Sequence, residues 1–382
     1  MFYYLSQYLL DVTRDTAWAD QLSPLRIFRY ITFRSAGAAV TALLLSWMLG
    51  PRMIVWLKQI KFGQEYADKA ELAGGLEQRV HNKKGTPTMG GLLIILTLVM
   101  TTLLWAEWNP LVGLTVVATV VLCALGFHDD YTKITQGHGG GTESHVKLIV
   151  QVTLALGIGI YLWYVPATTR LVTDIMVPFY KYPVLSGALA VGLILVTLTI
   201  VGSSNAVNLT DGLDGLAVGC TLIVSFAFLI LTYLAGNFRT AAYLQIPYVA
   251  GAGELTVFCA ALIGAGLGFL WYNCHPAQMF MGDTGSLALG GALGVMAVLI
   301  HQPFVLFIAG GVFVLEAASV LLQKGWFKYT RKRYGTGQRI FLMAPLHHHF
   351  ERKQWHETQV VIRFYILCIL FVVVALSTLK IR

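Results

Sequence analysis

The sequence predicts an all-α, polytopic integral membrane protein with ten transmembrane helices and both termini on the periplasmic side. Of 382 residues, 56% are apolar and only 12% are charged, about half the charged share of an ordinary soluble chain. The apolar residues gather in runs of about 18 to 21 residues without a charge, long enough to cross a bilayer as helices. Lysine and arginine concentrate in alternate loops, which sets the orientation. A disulfide scaffold is excluded, because Cys123, Cys220, Cys259 and Cys368 lie inside apolar runs and only Cys274 is near a loop.

In order, the predicted spans are 31–50, 89–106, 110–127, 147–165, 184–202, 216–236, 254–272, 285–301, 303–322 and 360–379. Before the first, Met1 to Arg29 mixes aromatics with Asp11, Arg14, Asp15 and Asp20, so it does not read as a cleaved signal peptide. The odd-numbered loops hold 17 of the 27 lysines and arginines, with Lys83 and Lys84 in the first and Lys324 to Lys353 in the fifth; the opposite side holds eight. Those loops therefore face the cytoplasm. The chain reads as one transmembrane domain, 1–382, with five cytoplasmic loops forming the site and a long fifth loop, 323–359.

Five polar segments stand apart from loop filler: Lys83 to Gly91, His128 to Lys133, Asn205 to Gly215, Trp271 to Asn273 with Met279 to Gly285, and Pro345 to Glu351. The ten-span topology puts all five on one side. Asp129, Asp130, Asp211, Asp214 and Asp283 sit at or near span ends, where unpaired carboxylates are expensive. Gathered together they need a counter-charge, and such oxygen ligands suit a hard divalent ion shared with phosphate oxygens. Gly212, Gly215, Gly282 and Gly285 permit close backbone approach before a helix start, which attracts phosphate. These features point to metal-assisted chemistry on a diphosphate.

Blander readings stand beside this one. Asp129-Asp130 also suits a span ending in solvated charge, Asp211 and Asp214 suit helix N-caps, and Lys83-Lys84 suits a positive-inside anchor. Three consecutive histidines, His347 to His349, share no helical face and lack zinc-site spacing. Cys274-His275 reads as a loop detail. Glu316 lies inside the ninth span, short of its cytoplasmic boundary, with its role open.

The strings HDDYTK, NLTDGLDG, MFMGDTG and PLHHHFE, in that order on successive cytoplasmic loops, resemble the polyprenyl-phosphate N-acetylhexosamine-1-phosphate transferases. With KKGTPTMGG and the uninterrupted triple histidine, the chain is most similar to the phospho-N-acetylmuramoyl-pentapeptide transferase family within them. The resemblance runs from the first span to the tenth. It implies a magnesium-dependent enzyme of the bacterial cytoplasmic (inner) membrane. Such an enzyme transfers phospho-MurNAc-pentapeptide from UDP-MurNAc-pentapeptide to undecaprenyl phosphate, giving lipid I and UMP for peptidoglycan.

By the same resemblance, Asp283 is the principal magnesium ligand, Asp129 deprotonates or orients the acceptor phosphate, and Asp130 holds that side of the site. Asn208, Asp211, Gly212, Leu213, Asp214, Asn273 and Phe280 are expected on the donor, chiefly its uridine end. Lys83, Thr88 and Lys133 suit phosphates or sugar, and His347 and His348 suit the diphosphate or sugar, with His347 counted among the catalytic residues. Gly335 and Gly337 are expected hinges of the long loop, and Gly310-Gly311 is expected to wall an isoprenoid groove. Membrane lipids are expected partners, a homodimer is left open, and nothing calls for nucleic acid. The competing classes are a secondary transporter, whose polar residues belong at the bilayer midplane in broken helices, and a UDP-GlcNAc transferase of the same superfamily.

Overall fold

Long apolar runs leave the backbone no water to bond, so each satisfies its own N–H and C=O groups as a helix. A computed structural model describes residues 1–16, 18–60, 85–136 and 141–379. Among them there is no strand; an isolated bridge joins Ile175 and Leu185.

The chain opens with α1 (Phe2–Val12), α2 (Ala19–Leu22) and a 3-10 segment, Ser23–Arg29. There follow α3 (Ile31–Gln59), α4 (Gly91–Trp105), α5 (Pro110–Gln136), α6 (Ser144–Tyr164), α7 (Arg170–Thr173) and α8 (Leu189–Thr210). The second half comprises α9 (Leu216–Ala235), α10 (Phe238–Leu244), α11 (Gly253–Asn273), α12 (Gly282–Leu299), α13 (Pro303–Ala309), α14 (Gly311–Tyr334), α15 (Leu346–Arg352) and α16 (Glu357–Ser377).

Every predicted span contains helix, but among the described residues eight helices are long and apolar enough to cross a membrane: α3, α5, α6, α8, α9, α11, α12 and α16. The number rises to nine if α13 and α14, bent by 81° at their junction, form one span. The predicted second span is shorter than its apolar run because Pro87 to Gly90 are not helical. Gly90 and Gly91 donate to the carbonyls of Phe280 and Met281 at 2.8 and 2.9 Å, and Phe280 donates to Pro87 O at 2.8 Å. That pairing leaves 15 residues for α4. The predicted ninth span breaks at Gly310, which separates α13 from α14.

Burial inside the protein orders the helices. α12 is the centre, with 89% of its apolar window buried, whereas α3 and α6 reach 28% and present apolar side chains outward. Glycines set the closest approaches, since helices in lipid pack through small residues. A Cβ on Gly126 of α5 would lie 2.1 Å from Asp283 O, and one on Gly91 would lie 2.2 Å from Gly285 N. These contacts pin α4 and α5 against the start of α12. Buried hydroxyls bond within their own helix, as Thr97 to Leu93 O at 2.8 Å and Thr119 to Thr115 O at 2.7 Å, which makes them tolerable in an apolar core.

The end of α8 meets the start of α12 through Asn208–Asp283, and the end of α11 meets the start of α9 through Asn273–Gly215, so chemistry-bearing residues collect at one end of the bundle. The other end is locked by a buried Arg34–Glu254 pair, Arg34 Nη1 and Nη2 donating to Oε2 and Oε1 at 2.5 and 2.6 Å. It places α3 beside α11. Arg34 is thus a paired residue within its span rather than a bare charge.

Candidate active site

Three acidic side chains meet between the end of α5 and the start of α12. α5 runs to Gln136, well past the predicted boundary at 127, so Asp129, Asp130 and Lys133 belong to its last turns. Carboxylates at a helix C-terminus face the negative end of its dipole and need partners. Asp129 is fully buried, and its Oδ2 lies 2.7 Å from both Lys133 Nζ and Lys147 Nζ. The same ammonium groups lie 3.1 and 3.0 Å from Asp283 Oδ2. Asp283 Oδ1 accepts from Asn208 Nδ2 at 2.7 Å, and Asn208 also donates to Ser286 Oγ at 2.9 Å. Asp129 Oδ1 accepts from Thr142 N at 2.8 Å, while Thr142 Oγ1 lies 2.9 Å from His128 Nδ1. Two lysines from different helices therefore bridge two aspartates from different helices.

Asp130 serves another purpose. Its oxygens accept from Asp283 N at 3.2 Å, Thr284 N at 2.9 Å and Thr284 Oγ1 at 2.7 Å, which satisfies the first amides of α12. The cap comes from a neighbouring helix and fixes where Asp283 points. Gly282 has φ +73°, and a Cβ there would meet Asp130 Oδ2 at 2.6 Å and Thr88 Oγ1 at 2.9 Å. Thr88 is thus brought to the same corner by the 87–91 and 280–281 pairing.

The turn after α8 carries the next group. Gly215, at φ +80°, is the N-cap of α9 without a side-chain cap, so Asp214 does not hold that position. Asp214 Oδ2 instead accepts from Ala277 N at 3.2 Å and lies 3.1 Å from His275 Nδ1, while Asp214 N donates to Glu357 Oε1 at 2.9 Å. Asn273 binds the same turn: its Oδ1 accepts from Gly215 N at 3.1 Å and its Nδ2 donates to Met279 O at 2.8 Å. Leu213 is buried and Asp211, Gly212 and Phe280 are partly exposed. Asp214 and Asn273 thus latch the 211–215 turn to the 273–279 loop. His275, which the sequence left as a loop detail, belongs to this latch.

His347 joins that turn from α15. A Cβ on Gly212 would lie 2.2 Å from His347 Nε2. The three histidines have separate surroundings: His347 Nδ1 is 3.2 Å from Glu316 Oε1, His348 Nδ1 is 2.8 Å from Glu351 Oε2, and His349 Nδ1 accepts from Leu342 N at 3.1 Å. Burial beside Lys353 lowers the pKa of His349. They do not converge on a metal. Of the predicted 323–359 loop, the part up to Tyr334 is helical, and Gly335, at φ +77°, closes α14 as a left-handed C-cap.

Oxygen atoms of Asp129, Asp130 and Asp283 lie within 4.8 Å of one another. That donor set fits a hard divalent cation: both oxygens of Asp283 and Oδ2 of Asp129 meet only side chains, whereas Asp130 is committed to α12. Asp214, His275 and Glu357 also come within 4.8 Å of one another, but backbone amides already engage both carboxylates. Lys83 lies outside the described residues. Lys147, counted from the sequence only as a loop charge, was missed because its partners lie on distant helices. A lysine in the first turn of α6, where the dipole disfavours a cation, is the local sign that was available. Buried Gln151, one turn further on, donates to Ser204 Oγ at 3.0 Å and accepts from Asn205 Nδ2 at 2.8 Å. It holds α6 and α8 in the register that lets Lys147 and Asn208 reach Asp283.

The description "Glycosyl transferase family 4" matches residues 112–301, and "Phospho-N-acetylmuramoyl-pentapeptide-transferase signature 1" matches residues 83–95. Proteins named phospho-N-acetylmuramoyl-pentapeptide-transferase align along nearly the whole chain. One from Methylacidiphilum infernorum is 47% identical over 385 residues, covering 100% of both chains. Another from Syntrophus aciditrophicus is 49% identical over 357 residues, 93% of this chain and 95% of the relative. A third, from Neisseria meningitidis serogroup C, is 48% identical over 366 residues, 96% and 98%. With identity at this level over its full length, and with the matched motifs meeting around Asp283, the chain belongs to the phospho-N-acetylmuramoyl-pentapeptide-transferase family.

Proposed function

We propose that the protein transfers phospho-MurNAc-pentapeptide from UDP-MurNAc-pentapeptide to undecaprenyl phosphate, releasing UMP and leaving lipid I in the bilayer for peptidoglycan synthesis. The single observation that carries the reading is the Asp129–Lys133–Lys147–Asp283 cluster with Asn208, a charge-balanced device for two phosphate groups. An oxygen of the acceptor phosphate attacks the sugar-bearing phosphorus of the donor, the bond to the UMP oxygen breaks, and UMP carries off that electron pair.

Asp283, with Asp129 Oδ2 beside it, would hold magnesium, and the ion would supply positive charge to the diphosphate. Lys133 and Lys147, both within 3.1 Å of Asp283, then have charge to offer phosphate oxygens. For such transfer the protein chiefly positions reactants and neutralises charge. Asp129 orients the acceptor phosphate. Its Oδ2 stands between two ammonium groups, which makes it a poor covalent nucleophile and favours direct attack. Asp211, Gly212, Leu213 and Phe280 line the donor's nucleoside end, which Asp214 and Asn273 shape through the latch. Lys83 and Thr88 approach the phosphates or sugar, as do His347 and His348.

The topology that serves this reaction is ten spans with both termini outward and the site in the cytoplasm of a bacterial inner membrane. A charged nucleotide donor then arrives from water while a long isoprenoid stays in lipid. The transporter reading places its polar residues at mid-membrane, whereas here they collect at one end of the bundle. Purified protein given UDP-MurNAc-pentapeptide, undecaprenyl phosphate and magnesium should release UMP. Turnover of UDP-GlcNAc in place of that donor would overturn the donor assignment and leave the phosphate chemistry intact.

A further inference from the structure

We propose that Glu316, fully buried in α14, is a positioning residue that sets His347 Nε2 to accept a hydrogen bond from an O–H or N–H group of the donor. This rests on the transferase reading above and deepens it. Glu316 Oε2 accepts from Leu346 N at 2.7 Å and Oε1 from His347 N at 3.1 Å. The carboxylate thereby satisfies the first amides of α15, a helix that enters through Pro345 without a side-chain cap of its own. The same Oε1 lies 3.2 Å from His347 Nδ1.

A single carboxylate therefore holds the backbone of one histidine and lies beside its inner ring nitrogen. The ring is only 1% exposed, and neither nitrogen makes a hydrogen bond. Such a group is costly unless something completes it. Nδ1 facing a carboxylate favours a proton on that nitrogen, which leaves Nε2 to meet whatever enters. Nε2 points at Gly212, two residues beyond the end of α8 and four beyond Asn208, the residue that holds Asp283. Only a residue without a Cβ fits there.

Glu316→Gln retains the shape and removes the charge. Its amide N–H₂ then faces Nδ1, and the His347 proton moves to Nε2. The full-length protein in lipid nanodiscs, labelled with ¹⁵N-histidine, should show this exchange in one ring, assigned by its loss in His347→Ala. An unchanged His347 ring signal overturns the proposal. Kinetically, Glu316→Gln should lower kcat about 10- to 100-fold, the range for outer residues that orient a functional histidine, with donor KM changing less than about threefold. In a His347→Ala background the same substitution should add less than about threefold, because its route of action is gone. Losses that simply multiply in the double variant, or a rise in KM alone, also overturn it. If Glu316→Gln does not fold, Glu316→Asp, which keeps the charge, is the second variant: it should keep the wild-type tautomer, and a moved proton there refutes the proposal. The ring signals do not depend on turnover, so a wild-type protein inactive on the donor would sink the functional reading while the Glu316–His347 pairing is still read directly.

Discussion

Asp283 sits at the centre of the candidate site, and each of its oxygens has its own partners, Asn208 on one and two ammonium groups on the other. Asp283→Asn keeps the volume and removes the charge, so turnover measured as UMP release should fall at least about 100-fold, the scale for losing a preorganised charge at a reacting centre. Asp129→Asn should fall similarly, with both variants still recovered from membranes. Full activity in either would remove that residue from its role. Lys147→Met should cost about 10- to 100-fold in kcat/KM, since it takes away one of two bridging charges. An unchanged value would make Lys147 a bystander. Asp129, Asp130, Lys133, Asn208 and Asp283 were all legible in the sequence as motif residues. Lys147, Gln151 and Glu316 were not given roles there, because a lone polar residue in or beside an apolar run acquires meaning only through its partner.

Among the helices, α5 and α12 decide whether the aspartates meet. Gly126 permits α5 to touch the backbone of Asp283, whereas Gly113 on the same helix has open space where a Cβ would go. Gly126→Ala must push the helices apart and should lower both thermal stability and turnover, while Gly113→Ala should leave activity unchanged and raise stability by up to about 1 kcal/mol. A thermal-shift measurement with the UMP assay separates them, and equal effects would refute this packing account. Element existence was readable from hydropathy; element ends were not. The sequence placed the second cytoplasmic loop at His128, yet α5 continues through Lys133 because the buried ion pairs make helix there favourable. The predicted second span lost its first residues to the pairing of 87–91 with 280–281, a contact between segments nearly 200 residues apart.

Across the molecule, the two ends of the bundle differ in kind. One is closed by the Arg34–Glu254 pair and the other holds the carboxylates, lysines and histidines, among which Cys274 is exposed while Cys123, Cys220, Cys259 and Cys368 are buried. A membrane-impermeant thiol reagent should therefore label Cys274 in inside-out vesicles and leave right-side-out vesicles unlabelled. Labelling from the outer face would reverse the proposed orientation. The sequence by itself determined that this is a helical membrane protein, because apolar runs of that length admit no other backbone state in lipid, and its long motifs carried the family resemblance. Only the tertiary structure decided which carboxylate faces a cation, which caps a helix and which latches a turn. Those roles depend on distances of a few ångströms between helices, and side-chain type along a single chain does not encode them locally.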